Sequence, residues 1–180
     1  RFGADSRRAE QAGWLHDISV IIPADRRLAV AQTWDIAVLP AEATAPMLLH
    51  QKLSAAIAQD LFDIRDAHVL SAIGCHTTLK THASLLDKVV FVADKVAWDQ
   101  PGTPPYQREM ENALATSLDH AVYCYLDHLW QQRETLAAVH PWFVDAYQEL
   151  ESSTSYLAYA DRGRRAGRPP AGLPAAQGRT

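Results

Sequence analysis

The chain has 180 residues, a net charge of -4, 48% hydrophobic residues and 21% charged residues. That length suits one domain and hardly two, with apolar side chains enough for a real core. The balance argues against a nucleic-acid partner, which a basic excess would advertise, so any phosphate must be met by a local site. No apolar run approaches the roughly 20 residues of a membrane span, so no membrane partner is expected. The two cysteines, Cys75 and Cys124, are too few for a disulfide framework. They fit a reducing compartment, and no signal peptide is visible, so a cytoplasmic location is expected.

Alternating valine-rich runs with Asn-Gly or Asp-Gly turns are absent, and the apolar spacing is helical throughout. A first helix spans about 6–18, with Ala9, Ala12 and Leu15 or His16 on one face and Asp5 or Ser6 as its cap. Pro23-Ala24-Asp25 opens a short helix through Arg26 to Trp34, and Pro40 breaks the segment after it. Pro46 sits where a helix tolerates proline, near its first turn, in a helix running to about Phe62. Leu49, Leu53, Ile57 and Leu61 form its stripe. The next helix, about 66–76, is followed by Ser84-Leu85-Leu86-Asp87, which resembles a capping box and opens an apolar helix to Trp98. After the proline-rich loop 100–105 come a long helix over about 107–134 and a last one over 141–150. Composition changes from Ser152 onward, and 161–180 reads as a disordered basic tail. The fold class is all-α.

Five residues, His16, Asp17, His50, His76 and Asp94, lie near helix ends or within otherwise apolar helices. Asp94 shares a face with Val90, and a buried unpaired carboxylate costs several kcal/mol or neutralises. A metal ion is one remedy; a buried Lys or Arg partner is the ordinary alternative. His50 shares a face with Leu53 and Ile57. His76 ends an apolar helix, and the hydroxyls of Thr77 and Thr78 follow it, able to hold the ring or meet a phosphate. A lone histidine on an apolar face is more often a satisfied core residue. The adjacent pair His16-Asp17 is more pointed, because imidazole and carboxylate together suit a divalent ion. His68, His82, His120, His128 and His140 are read as ordinary, with Asp119-His120 and Asp127-His128 on a solvated face.

Ala12-Gly13-Trp14-Leu15-His16-Asp17-Ile18 resembles the signature of the HD-domain phosphohydrolases, helical bundles in which histidines and aspartates from several helices grip one or two metal ions. Leu48-Leu49-His50-Gln51, Gly74-Cys75-His76-Thr77-Thr78, Ser84-Leu85-Leu86-Asp87-Lys88 and Ala93-Asp94-Lys95 resemble the branch of bacterial symmetrical dinucleoside tetraphosphatases. Those enzymes cleave diadenosine tetraphosphate to two ADP. The resemblance covers about 1–150.

It implies a nucleotide substrate and a divalent metal cofactor, two iron ions or else manganese. It further implies that His16, Asp17, His50, His76 and Asp94 are ligands. Asp17 is expected to bridge the ions and His50 and His76 to serve the second. Asp94 closes the first and, with Asp17, is catalytic. Thr77, Thr78 and Lys80 are substrate-binding candidates, whereas Lys95 is expected to run out to solvent. Trp98, Pro104, Pro105 and Tyr106 could wall a nucleobase or simply pack a loop.

Two departures stand out. The family places a further histidine on a helix before the segment that begins here, and no histidine precedes His16. Either that helix lies upstream of Arg1 or the ligand is lost; in both cases the first ion is expected to have one ligand fewer. Val20 stands where many relatives place a lysine, for which Arg26, Arg27 or Lys80 are candidate substitutes. The competing readings are another nucleotide phosphatase or phosphodiesterase of the same superfamily, and an inactive helical module that binds nucleotide or protein.

Overall fold

The structure is a computed structural model that describes residues 1–98 and 101–153. The expected tail at 161–180 lies outside them. The described residues are helical without a strand, as the spacing requires. Helix α1 (Ser6–Leu15) is capped by Asp5, whose carboxylate accepts the Arg8 N–H at 2.9 Å. It stops before the His16-Asp17 pair, not at Ile18, and a 3₁₀ turn follows over Ile18–Ile21. The short helix expected from Pro23 to Trp34 forms as a 3₁₀ turn, Ala24–Arg26, leading into α2 (Arg27–Thr33).

Pro40 opens a helix where a break was expected: Leu39 before it is extended, and Pro40 takes the first position of α3 (Pro40–Thr44). Pro46 likewise starts a 3₁₀ turn that runs into α4 (His50–Leu61). Leu49, Leu53 and Ile57 are buried, but Leu61 is 74% exposed. Steps of four residues advance about 40° beyond a full turn each, so after three steps the stripe has left the core face.

Helices α5 (Ala67–Cys75) and α6 (Leu85–Val96) complete the half of the molecule that carries His16, His50 and His76. The capping box on α6 forms as expected: the Ser84 hydroxyl accepts the Asp87 N–H, and the Asp87 carboxylate accepts the Ser84 N–H at 2.8 Å. Helix α5 packs against α4 on one side and α6 on the other, with α1 laid across them. Ala12, Leu15, Ala58, Val69, Ala72, Ile73, Leu86 and Val90 form their shared core. Burying side chains such as Ile73 or Leu53 is worth about 2 kcal/mol each, which fixes the helix ends that bear the polar residues.

The expected long helix over 107–134 is two helices, α7 (Gln107–Thr116) and α8 (Leu118–Gln131). Ser117 is extended between them, and its hydroxyl caps α8 by accepting the His120 N–H at 3.2 Å. The break turns α8 into the core with α6 and α9 (Pro141–Glu151). His120, expected on a solvated face, is therefore buried.

Candidate metal centre

The cluster is assembled from four helix ends. His16 and Asp17 follow α1, His50 begins α4, His76 follows α5, and Asp94 lies in the last turn of α6. Each histidine makes the same local bond. Nδ1–H donates to the carbonyl three residues earlier: His16 to Gly13 at 2.8 Å, His50 to Met47 at 2.6 Å, and His76 to Ile73 at 2.8 Å. A carbonyl can only accept, so Nδ1 carries the proton in each neutral ring, and Nε2 keeps a lone pair. Metal-binding histidines are oriented in this way.

The three Nε2 atoms and two carboxylates then converge. Nε2 of His50 and of His76 lie 3.0 Å apart, and Oδ1 of Asp17 is 3.3 Å from both. His16 Nε2 is 3.5 Å from Asp17 Oδ2 and 3.5 Å from Asp94 Oδ1. Asp17 thus reaches both sides of the cluster, one oxygen to each. Two overlapping sets could each hold an ion: His16, His76 and Asp94, and Asp17, His50 and His76, with the donor atoms of each set within 4.8 Å of one another. All five residues named from the sequence are together here. His76 belongs to both sets, but its one free lone pair can serve only one ion at a time, whereas Asp17 turns an oxygen to each side.

The electrostatics follow from this crowding. Burial pushes His50 down to about 4, helped by the adjacent His76, so its ring is neutral near pH 7. His16 is raised, mainly by its hydrogen bond to Asp94 and against the pull of burial. Asp17 is lowered by its contact with His76, which outweighs burial. Burial works against ionisation of Asp94, yet His16 and Lys95 overcome it and hold the carboxyl well below the usual range. The donor set is nitrogen and oxygen without sulfur, which suits iron, manganese or another divalent first-row ion. Cys75, the nearest thiol in sequence, is buried and pushed up to about 12, mainly by that burial, so it stays a thiol.

Of the substrate-binding candidates, the structure brings Thr77 to the cluster, with its hydroxyl 2.9 Å from His50 Nε2. Thr78 is buried and turned to Gln51, whose Nε2 donates to its hydroxyl at 3.0 Å. The ammonium of Lys80 donates to Ser71 Oγ at 2.7 Å. Arg27 reaches the carbonyl of Met47, the same one that orients His50, and so sits beside the cluster.

Several supporting residues had no clear sequence signal. Gln51 is fully buried, and its Oε1 accepts the Thr77 N–H at 3.1 Å, fastening the turn after His76. Leu79 adopts φ 57° in that turn, a left-handed conformation that costs a non-glycine residue roughly 1 kcal/mol or more. Ser19 donates to the His50 carbonyl at 2.8 Å and ties the segment after Asp17 to α4. Lys95, expected to reach solvent, is buried, with its ammonium 2.6 Å from Asp94 Oδ2. Trp98 and Tyr106 meet edge to face, with centroids 6.5 Å apart, and Tyr106 packs on Tyr125 in the core.

Several known proteins are similar to this chain. A protein of Lactococcus lactis subsp. cremoris named "Uncharacterized protein in pepC 5'region" is 38% identical over 144 residues, covering 80% of this chain and 73% of that one. The Bacillus subtilis protein named "Bis(5'-nucleosyl)-tetraphosphatase, symmetrical" is 29% identical over 126 residues, 68% of this chain and 66% of its own. A Mycoplasma genitalium protein named "Probable nicotinate-nucleotide adenylyltransferase/Ap4A hydrolase" is 30% identical over 92 residues, and the match spans only 25% of its length. Among solved structures, a Clostridium acetobutylicum protein described as a "predicted HD superfamily hydrolase involved in NAD metabolism" superposes with a TM-score of 0.74 at 23% identity, covering 82% of this chain and 78% of that one, which shows a shared fold. The HD-domain family model matches residues 1–99, the span that contains all five clustered side chains, and the chain belongs to the HD-domain family.

Proposed function

We propose that this chain is a metal-dependent phosphohydrolase acting on a phosphoanhydride of a nucleotide, with a dinucleoside polyphosphate as substrate and diadenosine tetraphosphate, cut to two ADP, as the specific case. One observation carries the metal-dependent part. Three imidazole rings turn Nδ1 to a local carbonyl, and their Nε2 atoms face two carboxylates across 3.3–3.5 Å. That is a surplus of lone pairs in one place, and a cation is what such a place binds. The names of the Bacillus subtilis and Mycoplasma genitalium relatives support the choice of substrate.

In this reading Asp17, His50 and His76 would hold one ion, and His16, Asp94 and the second oxygen of Asp17 the other, since the one free lone pair of His76 serves a single ion. Bound divalent ions supply charge neutralisation on phosphoryl oxygens and acidify water. The chain's own residues supply the rest. Asp17, half-exposed and ionised, spans the two sets and faces the solvent side from which a substrate enters. The Thr77 hydroxyl donates toward His50 and is positioned to turn to a phosphate oxygen. Arg27 is the nearby cation that takes the place of the lysine missing at Val20. Symmetric cleavage is a property of how far the polyphosphate reaches into the cluster.

The test is a product assay on protein loaded with iron or manganese under anaerobic conditions. ADP as the sole product from diadenosine tetraphosphate is the expected result. ATP with AMP in place of ADP, or hydrolysis only of mononucleotides or cyclic dinucleotides, refutes the symmetric cut. Protein that takes up neither metal refutes the enzyme reading altogether.

A further inference from the structure

The sequence pattern assigns Lys95 no role, and the structure gives it an unusual environment. It follows Asp94 on α6 and is only 6% exposed. Its ammonium donates to Asp94 Oδ2 at 2.6 Å and to the backbone carbonyl of His76 at 2.7 Å. The remainder of the charge lies over two aromatic faces, 4.6 Å from the Phe91 ring centre and 5.4 Å from that of Tyr125. A buried lysine ordinarily needs a counter-ion and finds it wherever it can. Here the counter-ion is the preceding residue, which also faces His16.

Consecutive residues on a helix point about 100° apart, so Asp94 and Lys95 meet only because both side chains turn toward the end of α5. Two consequences follow. Asp94 commits Oδ2 to Lys95, which leaves Oδ1, the oxygen 3.5 Å from His16 Nε2, to face the cluster. The His76 carbonyl sits at the C-terminal end of α5, where helix carbonyls lack partners within the helix. Lys95 fills that need and so ties the backbone of one clustered residue to the carboxylate of another.

We propose that Lys95 is a positioning residue that presents Asp94 through a single oxygen and sets its distance from His76. The inference rests on the reading that His16, Asp17 and Asp94 take a divalent ion. Its test uses the full chain, stripped with chelator and titrated with Mn2+ alone, followed by calorimetry and by the Mn2+ electron paramagnetic resonance spectrum. Lys95→Met keeps the stem and removes the charge. Outer partners of metal ligands commonly change metal affinity by about 10–100-fold, and a loss in that range with an altered spectrum is expected.

Should Lys95→Met fail to fold by circular dichroism, Lys95→Leu, which also removes the donor and stays apolar, is read in the same way. A lysine that merely stabilised the fold would lower the unfolding temperature in chelator and leave Mn2+ affinity and spectrum untouched. That result in a folded variant overturns the inference alone. Unmodified protein that binds no Mn2+ overturns the metal-centre reading and the inference with it.

Discussion

Among the described residues, two buried or half-buried clusters in which histidine meets carboxylate solve opposite problems. In the first, Glu42 is fully buried at the start of α3, near Lys52 of α4 and His140 at the cap of α9. Its Oε2 accepts from the Leu39 N–H and from Lys52 Nζ, each at 2.8 Å, and its Oε1 accepts from His140 Nε2 at 3.2 Å. His140 Nδ1 accepts the Trp142 N–H at 3.2 Å, so Nε2 must carry the proton it gives to Glu42. Lys52 has a further acceptor in the Ala37 carbonyl at 2.8 Å. Donors and acceptors match, and one ammonium balances one carboxylate.

In the second cluster two carboxylates and three Nε2 lone pairs face one another, with Lys95 as the buried ammonium at its edge. The residue types are similar, but the first set is complete by itself and the second asks for a cation. What separates the structural histidine here from the candidate ligands is the direction of the Nδ1 bond. At His140 Nδ1 accepts from a backbone N–H, whereas at His16, His50 and His76 it gives its proton to a carbonyl.

Substitutions test that contrast directly. The largest effect is expected for Asp17→Ala, which should abolish turnover and remove Mn2+ binding from the Asp17–His50–His76 set, as read by activity and calorimetry. Removing an acceptor from a place rich in acceptors should leave the unfolding temperature in chelator within a few degrees of the unmodified chain. Retained activity would break the comparison.

Glu42→Ala should do the reverse. It strands Lys52 and His140, so urea denaturation should show a loss of about 3 kcal/mol, with Mn2+ affinity in the folded protein unchanged. A Glu42 variant that loses metal before stability would show that the two clusters are coupled. The smallest effect is on the unmodified protein. Mn2+ at about one hundred times its dissociation constant should raise stability by roughly 2.7 kcal/mol. A thermal shift should report this in the unmodified chain and in Glu42→Ala, and it should shrink in Asp17→Ala.

Local patterns in the sequence are borne out where their cause is local. The capping box Ser84–Asp87, the Asp5 cap and the proline-led start of α9 each depend on atoms within four residues, and each forms. The break at Ser117 was legible in principle, since a serine before Leu118-Asp119 is a helix start. The apolar spacing runs on through it, and so periodicity alone predicts one long helix. Leu61 and His120 went astray because helical periodicity states which residues share a face and not which face finds a neighbour. Lys95 went astray for a related reason: a long flexible side chain goes wherever an acceptor waits, and its second acceptor, the His76 carbonyl, is on another helix.

The sequence by itself determined the helical class, most helix starts and the identity of the five clustered side chains, because periodicity, caps and an ordered set of motifs are properties of neighbours along the chain. Only the tertiary structure decided that His76 is common to both sets of donors. It alone joined Glu42 to His140 across 98 positions and showed that Lys95 holds Asp94 from behind. Those are relations between helix ends brought together by the burial of apolar faces elsewhere. Hydrophobic packing fixes such distances, and no spacing along a single chain encodes them.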